Sequence, residues 1–403
     1  MISNAQPDAP PSMRHGTAAE VFGTSLRLGL TSFGGPVAHL GYFERIYVRE
    51  RQWISVDAYT QLVALCQLLP GPASSQLGFL IGWRRAGWRG ALAAWLGFTA
   101  PSAVLMYAAA MGAVSADSAT ALAVLHGLKL VAVAVVAQAV WSMARRLCTT
   151  RAMIAIALLG GTLQLVAGGT LTQMLVLLLG AIGGVIWGRS ALSPVDVPLM
   201  GINVRTAVIA LGVFALLLVS LPLLALQSPH GLWALADVFY RAGALVFGGG
   251  HVVLPLLSDA LVPPHWISAD RFVAGYGLAQ AVPGPMFSLS AYLGAASLPQ
   301  MPMTAAAIAL LAIFLPGLLI AVAGASMWSQ LSRHSGMRSA LLGINAAVVG
   351  ILAAALVDPV WVTAIRSVAD IGIAALGAAL LAHGRLPPLG VLVLCTVLGA
   401  TAA

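Results

Sequence analysis

Charge is what this sequence has least of. Of 403 residues only 8% are charged, with 12 Asp+Glu and 20 Lys+Arg. A soluble domain carries about 25% charge and about 45–50% apolar residues, whereas the apolar share here is 60%. So few charges cannot cover a water-facing surface, which excludes a cytosolic enzyme and a disordered chain. Cysteine is scarce too. Cys66, Cys148 and Cys395 stand far apart in or beside apolar stretches, which excludes a disulfide framework and a cysteine metal site. Walker, dinucleotide-binding and HExxH patterns are missing, as is any tight Cys/His cluster. No metal, cofactor or enzymatic nucleophile–base pair is therefore expected. The net charge of +8 would suggest nucleic acid in a soluble protein. Here the arginines fall in short clusters between apolar runs, the pattern of cytoplasmic membrane-protein loops, so no nucleic-acid partner is expected. Residues 1–19 lack the apolar stretch of a cleaved signal and read as a polar cytoplasmic N-terminus.

What is present is a chain written twice. "LRLGLTSFGG" at 26–35 returns as "YRAGALVFGG" at 240–249, and "QWISVDAY" at 52–59 as "HWISADRF" at 265–272. "QLLPGP" at 67–72 returns as "QAVPGP" at 280–285, Pro101 matches Pro316, and Lys129 falls opposite Asn345. Internal repeats of this kind are common in transporters. The expected organisation is a first repeat at 20–189, a linker at 190–233 carrying one membrane helix, and a second repeat at 234–403.

Apolar runs at 90–112, 121–144, 152–168, 171–188, 206–226, 303–328, 340–357, 367–382 and 388–402 read as full crossings. Two further segments per half are broken, at Gly34-Gly35-Pro36 or Gly248-Gly249-Gly250, and at the two Pro-Gly-Pro turns. Proline cannot continue a helix smoothly. Arg45, Arg49 and Arg51 precede the first Pro-Gly-Pro, and Arg84, Arg85 and Arg89 follow it. The positive-inside rule puts both flanks in the cytoplasm. The matching loops 258–270 and 294–303 have no such clusters and face outward. The expected fold is therefore an all-α polytopic membrane protein. It has two inverted-topology repeats with broken, re-entrant helices, about nine full crossings and four broken segments. Thirteen crossings is the rival count.

A half-helix that begins inside the membrane exposes unpaired N–H groups and the positive end of its dipole, a ready anion site. After the first Pro-Gly-Pro come Ala73, Ser74, Ser75 and Gln76; after the second, Ser288. With Gly71, Gly284, Ser32, Gly34, Gly35, Gly248, Gly249 and Gly250 they form the candidate oxyanion site. Close helix packing by glycine is the plainer alternative. Arg27 and Arg241 share a repeat position inside apolar runs and suit an oxyanion, or snorkel to the interface. Lys129 either neutralises the anion or pairs with Asp117. Gln67 and Gln280 precede the breaks and either cap a half-helix or bind substrate. His39 and His251 are candidates for proton coupling, though a histidine satisfied within its helix is the commoner case. Ser55 and Ser268 read as N-caps, with Asp57 and Asp270 in the first turn. Glu20, Glu44, Glu50 and Asp237 read as ion-pair partners of nearby arginines.

Taken together these motifs resemble the chromate ion transporter family in its long two-domain form. Phe33-Gly34-Gly35-Pro36, Gln67-Leu68-Leu69-Pro70-Gly71-Pro72 with Ser74-Ser75-Gln76, and Gly127-Leu128-Lys129 carry the first half. Phe247-Gly248-Gly249-Gly250, Gln280, Pro283-Gly284-Pro285, and Gly343 with Asn345 and Ala346 carry the second. The resemblance implies efflux of chromate across the bacterial inner membrane and resistance to it, with sulfate as competitor or counter-ion. Exchange for a proton is the other coupling it leaves open. Ala73 stands where the family often has Asn, which bears on selectivity. The runner-up is a permease for sulfate or another divalent oxyanion; an anion-sensing membrane protein without turnover is a third reading. Expected partners are chromate, sulfate, membrane lipid and, as an open alternative, a second copy of the chain in a homodimer.

Overall fold

The computed structural model describes residues 16–33, 35–114, 119–187, 202–247, 250–331, 335–383 and 388–402. Among them the regular structure is helical throughout. The helices are α1 (Ala18–Thr31), α2 (Gly35–Phe43), α3 (Val56–Leu68), α4 (Ala73–Val114), α5 (Ala119–Leu147), α6 (Arg151–Ala167) and α7 (Gly169–Trp187), then α8 (Val204–Ala225). There follow α9 (Leu232–Leu245), α10 (Val253–Leu261), α11 (Ala269–Ala279), α12 (Leu289–Ser297), α13 (Pro302–Leu331) and α14 (Ser335–Ala355). The chain ends with a short turn α15 (Val362–Ala364), α16 (Val368–His383) and α17 (Pro388–Ala402). Five described segments hold a stretch long and apolar enough to cross a membrane: Ala73–Gly112, which is interrupted at Ala86 and Gly87, Ala123–Leu147, Val204–Ala225, Pro302–Met327 and Ser339–Ala364. Shorter apolar helices accompany them. The chain is a polytopic α-helical membrane protein.

Local chemistry explains the ends. Ser55 caps α3 by accepting the Ala58 N–H, and Ser268 caps α11 by accepting the Arg271 N–H. Just before each cap, Gln52 and His265 adopt positive φ at equal repeat positions. Asp57 and Asp270 lie in the first turns, where a carboxylate favours the helix dipole. The expected arginine pairings all form: Glu20 with Arg85, Glu44 with Arg49, Glu50 with Arg45, and Asp237 with Arg241.

The four breaks fall where glycine and proline put them. α1 ends at Thr31 and α2 begins at Gly35; α9 ends at Leu245 and a 3-10 turn begins at Gly250. Gly34, Gly248 and Gly249 lie outside the described residues. α4 leaves helical geometry at Ala86 and Gly87. There it doubles back, with Gly82 facing Gly90 and Ala94. α12 and α13 repeat this hairpin, with Gly294 against Ala305 and Ala309.

Small residues bring the helices together, as expected where lipid removes the hydrophobic drive for association. Gly29 of α1 abuts the Gly97 and Phe98 carbonyls of α4, and its counterpart Gly243 of α9 abuts Ile313 of α13. The later helices are exchanged between halves. α6 and α7 pack on α14 through Gly161–Gly350 and Gly180–Gly343, while α16 and α17 pack on α5, where Gly127 meets Thr396 and Gly399. The central breaks are thus enclosed by elements of both halves.

Candidate functional site

Leu69 is extended ahead of Pro70, as the residue before proline prefers. Gly71 then takes φ +117°, and α4 starts at Ala73. The Gly71 N–H donates to the Val246 carbonyl at the end of α9, 2.7 Å away. In the other half Gly284 takes φ +102°, and its N–H donates to the Ser32 carbonyl at the end of α1, 2.9 Å away. Each Pro-Gly-Pro turn is therefore joined to the glycine break of the opposite half. A proline-bearing helix backs each turn: Gly71 lies on Gly317, next to Pro316, and Gly284 lies on Ser102, next to Pro101.

At the start of α4 the first intrahelical bond is from Gln76 N–H to the Pro72 carbonyl, 2.9 Å. The amides of Ala73, Ser74 and Ser75 precede it and have no acceptor within the helix. Ser74 Oγ lies 3.3 Å from His39 Nδ1, and the His39 ring meets Phe98 edge-on at 5.3 Å. Phe98 in turn borders Gly284, which is bonded to Ser32. Ser32, His39, Ser74, Phe98 and Gly284 thus form one neighbourhood. His39 is 1% exposed, Ser32 0% and Ser75 2%, yet Ser32 Oγ, His39 Nε2 and Ser75 Oγ have no hydrogen-bond partner among the described residues. Thr99 Oγ1 and Gln76 Oε1 are likewise buried and unpartnered. Buried polar atoms are rarely left so. Gln76 Nε2 is the anchor, donating to the Pro70 and Gly317 carbonyls at 2.7 and 2.9 Å.

The matching region of the second half is more self-satisfied. A 3-10 turn, Met286–Ser288, follows Pro285, and the Ser288 N–H donates to the Pro285 carbonyl. Ser288 and Gly250 are buried. Gln280 caps α11 and its amide contacts Met286 Sδ at 3.4 Å. His251 Nδ1 pairs with Tyr276 Oη at 2.9 Å.

The structure does not bring the basic residues to these turns. Arg27 is exposed on α1, and Gln67 is exposed in the last turn of α3. Arg241 pairs with buried Asp237 on its own helix. Asn345 is half-buried on α14. Lys129 Nζ is bonded to Asp270 Oδ1 at 2.6 Å and to the Thr363 carbonyl at 3.2 Å. The alternative partner Asp117 lies outside the described residues. Asp270 opens α11, so the Lys129 ammonium lies at the end of that helix away from the second Pro-Gly-Pro, although the backbone beside it runs close to the other end, with the Leu128 carbonyl against Gly277. Sequence reading missed His126, whose Nε2 lies 2.8 Å from Asp370 Oδ1 with both side chains buried. The available signal was its place one turn before Lys129 on the same helix face. It also missed Thr99, which carries no motif. No group of three or more His, Cys, Asp and Glu placed to hold a metal ion occurs among the described residues.

A family model described as chromate transporter matches this chain twice, at residues 19–187 and 233–400. The chain belongs to the chromate transporter family. Family relatives include the chromate transport protein of Cupriavidus metallidurans, 29% identical over 353 residues, which cover 86% of this chain and 82% of that one. The chromate transport protein of Pseudomonas aeruginosa is 27% identical over 379 residues, covering 89% and 84%. A probable chromate transport protein of Synechococcus elongatus is 27% identical over 337 residues, covering 82% of each. No solved structure matches the chain. Membership in this family makes the protein a transporter rather than an enzyme, and a multi-pass protein of the bacterial inner membrane.

Proposed function

We propose that the chain exports chromate by secondary active transport and so confers chromate resistance, with the oxyanion held at the start of α4. The observation that carries this reading is the set of buried, unpartnered donors there. Ser32 Oγ, Ser75 Oγ and His39 Nε2, unpartnered among the described residues, belong to the neighbourhood where α4 begins with amides that have no acceptor inside the helix. That chemistry fits a tetrahedral oxyanion, which accepts hydrogen bonds on every oxygen. When protonated, His39 adds charge and a donor, so a proton can travel with or against the anion. The chromate transport activity named for the relatives supplies the substrate; sulfate, of similar shape and charge, is the expected competitor or counter-ion. Ala73 removes one candidate amide donor, leaving backbone and hydroxyl groups to select.

In this reading the repeats at 20–189 and 234–403 are antiparallel, and the Pro-Gly-Pro segments are re-entrant. At 13 residues α3 is about 20 Å long, short of a hydrocarbon core of about 30 Å. Alternating exposure follows if one half rocks against the other, breaking and remaking the cross-half bonds of Gly71 and Gly284. A cysteine at exposed Arg51 is then expected to resist an impermeant maleimide in intact cells, while one at exposed Pro264 reacts. The reverse pattern would reject the topology.

Flux of chromate and of sulfate into proteoliposomes, with and without an imposed pH gradient, tests the function directly. Chromate uptake inhibited by sulfate is expected. Sulfate flux without chromate flux would replace the cargo, and binding without flux would make the protein a sensor. Ser75→Ala is expected to lower chromate flux about tenfold, a barrier change of about 1.4 kcal/mol. Its melting temperature should hold, because a hydroxyl without a partner contributes nothing to the fold. Unchanged flux in this variant would remove the start of α4 as the site.

A further inference from the structure

We infer that a separate acidic cavity between α6, α10 and the end of α14 takes a hydrated divalent cation of the Ca2+ or Mg2+ class. The cavity measures about 200 Å³, and its polar lining includes Asp259, Asp358, Gln164 and Ser258. Among the described residues no lysine, arginine or histidine lines it. Gln164 Nε2 donates to Asp259 Oδ2 at 2.8 Å, and Gln173 Nε2 donates to the same oxygen at 3.0 Å. These two N–H groups offset part of the cost of burying a carboxylate beside Asp358, a cost that a bound cation would lower further. Asp358 faces the same space, is exposed, and makes no side-chain hydrogen bond among the described residues. Two carboxylates therefore share one cavity with no cationic side chain among its described lining residues, and a bound divalent cation would offset the burial and mutual repulsion of their charged forms.

The amide oxygens supply an independent pointer. Gln164 is 7% exposed and Gln173 0%. With their N–H groups committed to Asp259, Gln164 Oε1 and Gln173 Oε1 are left buried without a partner among the described residues, and Gln164 lines the cavity. Carboxylate, amide carbonyl and hydroxyl oxygens are hard ligands, suited to Ca2+ or Mg2+ rather than to zinc or copper. The volume holds an ion together with several waters, at about 30 Å³ for each water, which fits a cation that keeps part of its hydration shell. Such an ion ties α6, and through Gln173 α7, to α10 and α14, joining the chain's two family-matched segments at a place away from the α4 start.

The test uses the full chain in detergent without any oxyanion, so its outcome is separate from that of the transport assay. CaCl2 and MgCl2 are titrated by calorimetry at constant ionic strength, with thermal melts in parallel. Saturable binding at roughly 0.1–1 mM, the range of exposed extracellular sites, and a raised melting temperature are expected. Asp358→Asn should weaken binding at least tenfold while melting like the parent in chelator, and Asp259→Asn should abolish it. Should Asp259→Asn fail to fold, Asp358→Asn alone decides. Absence of saturable heat from both cations, or equal affinity in Asp358→Asn, overturns the proposal. Saturation by Na+ alone would overturn the divalent assignment.

Discussion

Gly71→Ala is expected to reduce chromate flux below a tenth of the parent value and to destabilise the protein by about 2–5 kcal/mol. Two terms add. The first is conformational: Gly71 sits at φ +117°, where a residue with a Cβ is strained by roughly 1–2 kcal/mol. The second is steric. A Cβ at Gly71 would stand 2.7 Å from Gly317 Cα. That is backbone of the helix bearing Pro316 and cannot swing aside as a side chain would, so overpacking adds about 1–3 kcal/mol. Relief of the clash would shift the Pro-Gly-Pro turn, and with it the Gly71–Val246 bond and the first amides of α4. Gly284→Ala is expected to be milder. Its conformation is equally unfavourable, at φ +102°, but the atoms a Cβ would meet, Ser102 Oγ at 3.0 Å and the Phe98 carbonyl oxygen at 3.2 Å, stand farther off than Gly317 Cα does from Gly71. The ordering is the sharp part of the prediction. Thermal melts in detergent, with flux per milligram of folded protein, would contradict it if Gly284→Ala proved equal or worse.

These turns were legible before any coordinates because their cause is local. Two prolines around a glycine remove two donors and crowd the preceding turn, so Pro70-Gly71-Pro72 stopped α3 for the reason that Pro283-Gly284-Pro285 follows the end of α11, whereas the single Pro101 and Pro316 are carried inside α4 and α13. Ser55 and Ser268 act within three residues of themselves. Apolar runs at 121–144, 152–168 and 303–328 became α5, α6 and α13. What sequence could not give was which helix meets which. Residues 130–134 of α5 are buried as a continuous stretch, so no polar face announces a neighbour. The partners of Lys129, His126 and Gln164 therefore stayed hidden: Asp270, Asp370 and Asp259 lie far along the chain. The same gap left Arg27 and Arg241 as site candidates. Their repeat positions agree, yet one is exposed and the other is paired with Asp237, a carboxylate whose counterpart in the first half is Gly23. Repeats preserve backbone breaks better than charges, because a break is set by two or three residues and a charge needs a partner elsewhere.

Lys129 carries the second large expected effect. Its side chain is 4% exposed, whereas that of its partner Asp270 is 65% exposed. The pair is thus lopsided: water already satisfies much of the carboxylate, while the ammonium depends on Asp270 and the Thr363 carbonyl. A doubly negative oxyanion arriving at this end of α11 competes with a single, well-solvated carboxylate for a desolvated cation. On that basis we propose that Lys129 passes the oxyanion between bulk water and the α4 site. Lys129→Ala should then lower flux at least tenfold, about 1.4 kcal/mol, with little loss of fold, because Asp270 remains in solvent. Asp270→Asn should instead destabilise the protein by leaving Lys129 buried with a weaker partner, a penalty that can reach about 3–5 kcal/mol for a fully buried pair and is smaller here. The double variant separates a transport role from a structural tie. Combining Lys129→Ala with Asp270→Asn removes the stranded charge, so melting should return close to that of the parent, while flux stays low. If flux returned along with melting, the pair would be a fastening between α5 and α11 and Lys129 would have no part in moving the anion. Lys129→Arg adds a graded check: it keeps the charge but replaces a compact ammonium with a planar fork, so partial flux is expected where charge alone matters.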